Sequence, residues 1–157
     1  PDRGAVPNSR SFNRQWVIDL TSGTVRERIV DDLVVEFPTI NEDLMGREHR
    51  FQYAISFPDE RGVGNFGVVK YDRITGGRQV RHVGDGQLPS EAVFVPAEGG
   101  TSEDDGYLLT VVSDLHVDAS SLLVLDASDI RGGPVATVHL PRRVAAGIHG
   151  SWMADRD

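Results

Sequence analysis

Short apolar runs alternate with turn-forming residues along almost the whole chain. The runs are rich in Val, Ile, Leu and aromatic residues and are separated by Gly, Pro, Asp and Ser, which is typical of β-strands joined by turns. No segment keeps a helical period over three turns, so the chain is predicted to be all-β. The predicted strands are residues 15–20, 25–30, 33–37, 50–57, 67–71, 78–83, 92–95, 107–113, 121–125, 135–140 and 150–153.

One motif recurs: an apolar strand ends in an aspartate, and a glycine-containing turn follows. The aspartates are Asp19, Asp72 and Asp126, and their separations are 72 − 19 = 53 and 126 − 72 = 54 residues. A repeat of this length filled with strands is typical of the four-stranded blades of a β-propeller. An immunoglobulin-like sandwich is the competing interpretation, but it does not account for the repeat.

The length of the chain changes what this repeat implies. At about 53 residues per blade the 157 residues make about three blades, whereas propellers close with about 4–8. The chain also begins at Pro1 without an initiator methionine. We therefore expect residues 1–157 to be a partial single domain, the C-terminal part of a propeller whose earlier blades lie outside this sequence.

Composition excludes several classes of site. The net charge of −8 and the absence of an Arg/Lys cluster argue against a nucleic-acid surface. The chain has no cysteine, so disulfides, thiolate metal sites and cysteine nucleophiles are excluded. No apolar run approaches the roughly 18 residues that a membrane helix needs. With no signal peptide visible in this sequence, a cytoplasmic location is the default expectation.

A polar residue follows each repeat aspartate at a comparable distance. These residues are Glu36, Glu91 and His149. If the repeat holds, they fall at similar places in successive blades, and the start of an innermost strand facing the central axis is such a place. Carboxylates and an imidazole that converge on one axis suggest a metal site.

Each of these residues also has a simpler interpretation. His149 is either a hydrogen-bonded structural histidine or a metal ligand. Glu36 either faces solvent at a strand edge or is buried and held by an arginine, by backbone amides or by a metal-bound imidazole. Glu91 follows a turn, so solvent exposure or a local backbone cap is expected. The acidic run 103–105 lacks the alternating ligands of a calcium loop and is expected to be a solvated turn.

Four segments, in order and at suitable spacing, resemble the C-terminal region of the carotenoid cleavage oxygenases. They are EFPTIN at 36–41, PSEAVFVP at 89–96, EDDGYLL at 103–109 and IHGSW at 148–152. This family includes carotenoid, apocarotenoid and lignostilbene dioxygenases and the retinal-pigment isomerase. The resemblance covers residues 31–152, which correspond to about the last third of a family member.

The resemblance implies a fold, a metal and a reaction. The fold would be a seven-bladed β-propeller with Fe(II) held on its axis by four histidines, three of them oriented by glutamates. By similarity His149 matches the last of the four ligands and Glu36 the last of the three glutamates. Glu91 matches a family motif position but is not assigned to the iron site. The reaction would be cleavage of a conjugated C=C bond by O2 to give two carbonyl products.

Substrates and alternatives follow from the same resemblance. The expected partners are O2 and a hydrophobic polyene or stilbene, with carotenoid, apocarotenoid and stilbene all open, and peripheral membrane contact would come from regions outside this chain. One histidine cannot hold Fe(II) usefully, so we expect the 157 residues alone to be inactive. The alternatives are a non-catalytic propeller that binds ligands or proteins through its face, and a truncated product without activity.

Overall fold

The fold consists of two antiparallel sheets and one short 3-10 turn. The computed structural model describes residues 10–58, 66–145, 147 and 149–155. The strands are β1 Phe12–Asp19, β2 Thr24–Thr39, β3 Phe51–Ser56, β4 Gly67–Asp72, β5 Arg78–His82, β6 Gln87–Pro89, β7 Val93–Pro96, β8 Gly106–Asp114, β9 Ala119–Asp126 and β10 Ala136–His139, with the 3-10 turn at Glu42–Leu44. The all-β prediction is confirmed. Within the described ranges no helix has the length and apolar character needed to span a membrane.

Each sheet contains five strands that are consecutive along the chain, β1 to β5 in the first and β6 to β10 in the second. In the first sheet the order is β1-β2-β3-β4-β5. In the second it is β10-β9-β8, and both β6 and β7 pair with β8. Two predicted strands, 25–30 and 33–37, are one long strand, and the predicted strand at 150–153 is wrong because these residues pair with no strand of the described chain. The short strand β6 was not predicted.

The strand that carries Glu36 and the segment that carries Glu91 each contain one extra residue relative to the strand beside them. In β2 the pairing with β3 passes from Glu36↔Ile55 to Thr39↔Tyr53, three residues against two. In the second sheet the pairing with β8 passes from Pro89↔Val112 to Val93↔Leu109, four residues against three. Such a bulge bends the strand and redirects side chains. Glu36 lies at the first irregularity and Glu91 at the second.

The main core lies between the two sheets. It is formed by residues of both sheets that are at least 95% buried, namely Tyr53, Ile55 and Val68 of the first sheet and Phe94 and Leu108 of the second. The rings of Tyr53 and Phe94 stack with centroids 5.9 Å apart. Because strand side chains alternate between faces, the neighbouring residues form a second cluster on the far side of the first sheet. Its members are Val35, Ala54, Val69 and Tyr71.

The repeated aspartates have a common structural role, which explains the 53-residue period. Asp19 accepts hydrogen bonds from the amides of Thr21 and Ser22, Asp72 from those of Ile74 and Thr75, and Asp126 from that of Ser128. Each carboxylate thereby closes the turn that follows its strand.

Hydrogen bonds from amide, guanidinium and hydroxyl groups hold the pKa of the Asp19, Asp72 and Asp126 carboxyl groups below the usual range. The largest cause is the amide of Ser22 at Asp19, the guanidinium of Arg50 at Asp72, and the hydroxyl of Ser128 at Asp126. Because the folded-state pKa is lowered, the stabilisation is present above about pH 5 and is lost as the pH falls toward the lowered values.

The acidic run 103–105 is not the solvated turn that was expected. Glu103 accepts hydrogen bonds from the amides of Arg50 and Phe51 at 2.6–2.8 Å, and Asp104 pairs with Lys70 at 2.6 Å. The Lys70 ammonium also donates to the carbonyls of Ala127 and Ser128, and it is 5% exposed. The run therefore joins the edge of β3 and the middle of β4 to the second sheet.

Gly106 offers a test of the close contact between β7 and β8. A Cβ at this position would lie 2.4 Å from the carbonyl oxygen of Val95 and 2.7 Å from the ring of Phe94. Since these atoms belong to backbone and to a buried ring, we expect Gly106→Ala to lower the free energy of unfolding by about 1–3 kcal/mol. Chemical denaturation measures it, and Gly133→Ala, where a Cβ meets nothing within 4 Å, is the control. Equal stabilities of the two variants would contradict the contact.

Candidate metal centre

Glu91 occupies the break between β6 and β7. Backbone and side chain hold this break in place: the Ser90 amide donates to the Val111 carbonyl at 2.8 Å, and the Thr110 hydroxyl donates to the Ser90 carbonyl at 2.8 Å. The hydroxyl of Ser90 accepts from the Val111 amide at 3.1 Å. Glu91 is only 8% exposed, so the expectation that it faces solvent is wrong.

The buried Glu91 carboxylate holds His149 and its neighbour with both oxygens. His149 Nδ1 lies 3.2 Å from Oε1, and the amide of Gly150 donates to Oε2 at 2.8 Å. An ionised carboxylate only accepts hydrogen bonds, so this contact places the hydrogen on Nδ1. In the neutral ring Nε2 then carries the lone pair, which is the form that binds metals.

Phe37 makes the second contact with the His149 ring. The two ring centroids are 5.8 Å apart and the planes are nearly perpendicular, at 87°. Phe37 also contacts Phe57, with centroids 6.3 Å apart. The His149 side chain is 72% exposed. Its imidazole is held at Nδ1 by a carboxylate and on its flank by an aromatic ring.

Glu36 is placed differently from Glu91. It is exposed, and its Oε1 accepts a hydrogen bond from the hydroxyl of Ser11. The glutamate that contacts His149 is therefore Glu91, the residue that the sequence analysis left unassigned. The assignment of Glu36 to the support of an iron ligand stays a prediction. Glu36 is the last paired residue before the bulge of β2, whereas Glu91 lies within the break between β6 and β7.

A cavity of about 490 Å³ adjoins this pair. Its walls are the face of the second sheet that points away from the main core, together with Phe37, Phe57 and the segment that carries His149 and Trp152. Val93, Leu109 and their neighbours on the sheet make the lining mostly apolar, and Glu91 and His149 supply polar groups. The arrangement is typical of a site for an apolar ligand with a few polar contacts.

His149 fits the role of a metal ligand in its chemistry and support. Within the described ranges no three His, Asp or Glu side chains are grouped so that they could hold a metal. His149, with Nδ1 held and Nε2 available, has the donor chemistry and the carboxylate support of a metal-binding histidine. Any further ligands must come from residues outside those described. Ile148, part of the IHGSW motif, also lies outside them.

The other histidines are engaged elsewhere. His116 lies 3.3 Å from Asp85, and His139 Nδ1 lies 3.1 Å from the hydroxyl of Ser121. His49 lies 3.4 Å from the carbonyl of Arg47. None of these three is among the residues that line the cavity beside Glu91. The choice of His149 as the metal ligand stays a prediction.

Comparison with known proteins identifies the family. Residues 2–154 match the family model described as RPE65, retinal pigment epithelial membrane protein. The chain belongs to this family. The resemblance inferred from the four motifs is thereby confirmed. Among curated relatives, a carotenoid cleavage oxygenase of Mycobacterium tuberculosis is 38% identical over 155 residues, which are 96% of this chain and 30% of that protein.

Two further matches, a curated sequence and a solved structure, bear on the fold. The apocarotenoid-15,15'-oxygenase of Synechocystis is 30% identical over 88% of this chain. A solved structure of cobalt-substituted Synechocystis apocarotenoid oxygenase matches with a TM-score of 0.84 and 29% identity, over 90% of this chain and 30% of that one. The fold of this chain is therefore that of part of a β-propeller enzyme. It spans about a third of the length of the relatives that it matches.

Proposed function

We propose that this chain is the C-terminal part of a seven-bladed propeller dioxygenase that depends on Fe(II). The proposed reaction is cleavage of a conjugated C=C bond in a carotenoid, apocarotenoid or stilbene. One O2 is consumed, the C=C bond breaks, and each carbon receives one oxygen atom to give two carbonyl products. The observation that carries the proposal is the His149–Glu91 pair beside an apolar cavity, in a chain of this family.

The proposed iron would supply O2 activation when bound. The chain's own part would begin with Glu91, which keeps hydrogen on His149 Nδ1 and so leaves Nε2 to bind the metal. The amide of Gly150 donates to the second oxygen of the same carboxylate and so fixes its orientation. The apolar sheet face formed by Val93, Leu109 and their neighbours would bind a conjugated hydrocarbon and exclude water.

The names of relatives support the substrate class. The M. tuberculosis relative is named a carotenoid cleavage oxygenase, the Synechocystis relative an apocarotenoid oxygenase, and a Sphingomonas paucimobilis relative, 28% identical, a lignostilbene dioxygenase. All three names describe oxygenases of extended conjugated molecules. We propose the same class for the complete protein and two further features: about three blades in this chain, and Fe(II) as the metal.

The test is made on the protein encoded by the complete reading frame that contains these residues. It is incubated with a carotenoid, an apocarotenal and a hydroxystilbene in the presence and absence of O2, and products are identified by mass spectrometry. We expect stoichiometric iron and a pair of carbonyl products from one of the three, with His149→Ala losing both iron and cleavage. A complete protein that retains no iron and cleaves none of them would overturn the proposal in favour of a binding module.

Glu36 gives a second test of the proposed iron site. Because Glu36 borders the irregularity in β2 and Glu91 lies in the irregularity of the second sheet, we expect Glu36 to support a histidine supplied by the rest of the protein. In the complete protein Glu36→Ala should weaken iron retention about 10–100-fold. Iron content after a chelator challenge measures the effect, with the exposed Glu48→Ala as control. Equal retention of iron in both variants would refute the assignment of Glu36 to the iron site.

A further inference from the structure

Phe37 combines a strained backbone with a contact to His149. Its φ is +55°, in the left-handed region that a bulky side chain rarely adopts. Strain of this kind persists only where the surrounding structure enforces it, and it concentrates at functional sites. Glycine adopts positive φ without strain, as at the turns of Gly23, Gly46 and Gly76. A phenylalanine at such an angle is strained and therefore indicates a specific role for its ring.

The neighbours of Phe37 enforce the conformation from both sides. Glu36 is paired with Ile55 and Thr39 with Tyr53, so the bulge between them has fixed ends. The hydroxyl of Thr39 also donates to the carbonyl of Ala92 at 2.7 Å, which ties the end of β2 to the residue that follows Glu91. The bulge is thereby held in register with the break in the second sheet that carries the His149 partner.

The hydrogen bond from Glu91 alone leaves the imidazole one freedom. A single contact at Nδ1 can be made with more than one combination of the two side-chain torsion angles of His149, so the plane of the ring can still rotate while the hydrogen bond is kept. The Phe37 ring, perpendicular to the imidazole at 5.8 Å, blocks that rotation on one flank. His149 lies outside regular secondary structure, so its own backbone supplies no strand pairing to restrict it.

We infer that Phe37 is a positioning residue that fixes the plane of the His149 imidazole and so the direction of its Nε2 lone pair. The strained bulge aims the ring at the imidazole instead of along the strand. This inference rests on the proposed function in so far as His149 is a metal ligand. The geometry on which it depends, the bulge and the two ring contacts, is independent of the metal.

The experiment compares four variants of the complete protein. Phe37→Leu removes the ring, Phe37→Gly removes the ring and relieves the strain, and Phe37→Tyr keeps the ring. Phe57→Leu is the matched control, because Phe57 packs on the same core and lines the same cavity without a ring contact to His149 among the described residues. Cobalt is loaded in place of iron, as in the solved cobalt-substituted relative, and its visible spectrum reports ligand geometry.

We expect Phe37→Leu and Phe37→Gly to change the cobalt spectrum and to weaken metal retention about tenfold or more. Phe37→Tyr should keep the wild-type spectrum, and Phe57→Leu should lower thermal stability with the spectrum unchanged. Phe37→Gly keeps the test valid if Phe37→Leu fails to fold, because glycine relieves the backbone strain. Wild-type spectra and retention in both ring-less variants would overturn the inference.

Crystal structures of the metal-free variants separate this inference from the proposed function. If the wild-type protein binds no metal, the proposed function fails, yet the position of the His149 ring can still be seen. A ring that is ordered in the wild type and in Phe57→Leu, and rotated or dispersed in Phe37→Leu, supports the positioning role. A ring in the same place in all of them refutes it.

Discussion

Replacing Lys70 by methionine is expected to lower the free energy of unfolding by about 3–5 kcal/mol. The Lys70 ammonium donates to Asp104 at 2.6 Å and to the carbonyls of Ala127 and Ser128 at 2.7 and 3.0 Å. It also lies 4.2 Å from the centroid of the Phe51 ring. Methionine keeps the packing volume but removes the donor from the carboxylate of Asp104, whose side chain is 15% exposed, and from two carbonyls, of which that of Ala127 is buried.

Denaturant titration of the complete protein measures this loss. Arg14→Met is the matched control, because Arg14 pairs with Glu27 at a site where both side chains are more than 40% exposed. An exposed pair of this kind contributes at most about 1 kcal/mol. If the two variants lost similar stability, the Lys70 cluster would not join the sheets in the way that its geometry indicates.

Replacing Glu91 by glutamine is expected to reduce metal retention in the complete protein about 10–100-fold. Glutamine has the size of glutamate, but one oxygen becomes an amide group that can only donate. It then faces either the Nδ1 hydrogen of His149 or the amide of Gly150, and both are donors in the native arrangement. The ring loses its fixed tautomer or the following backbone loses its anchor.

The measurement is metal content after timed exposure to a chelator, together with thermal stability. Glu98→Gln, on an exposed turn seven residues away, should retain metal as the wild type does. Glu91→Asp is a second variant, since it keeps the charge but shortens the reach toward His149. Retention that is unchanged in Glu91→Gln would mean that Glu91 stabilises the segment around Gly150 and has no influence on the metal.

The features that the sequence predicted correctly are local ones. The turns that close on Asp19, Asp72 and Asp126 are formed by residues two or three positions away, so their chemistry can be read directly from the sequence. The strand pattern followed from alternation that each strand carries within itself. The assignment of His149 to a metal site has a different basis, since it depends on short segments read together, and it stays a prediction.

The features that were missed depend on contacts between distant residues. Glu91 follows a turn and was expected to face solvent or to cap local backbone, but the break between β6 and β7 turns it toward His149, 58 residues away. Asp104 belongs to an acidic run whose partner, Lys70, is 34 residues away. One signal was present: Glu36 and Glu91 recur with the repeat, and a repeated carboxylate at a strand irregularity indicates a repeated role.

The burial of Lys70 has a consequence for chemical labelling. It is the only lysine among the 157 residues, and its ammonium is enclosed by three oxygen atoms and an aromatic ring. A reagent that acylates amines needs the unprotonated nitrogen in contact with solvent, so modification at this position requires the two sheets to separate locally. The rate at which a peptide containing residue 70 becomes acylated therefore reports how often the two sheets part around this side chain while the rest of the protein stays folded.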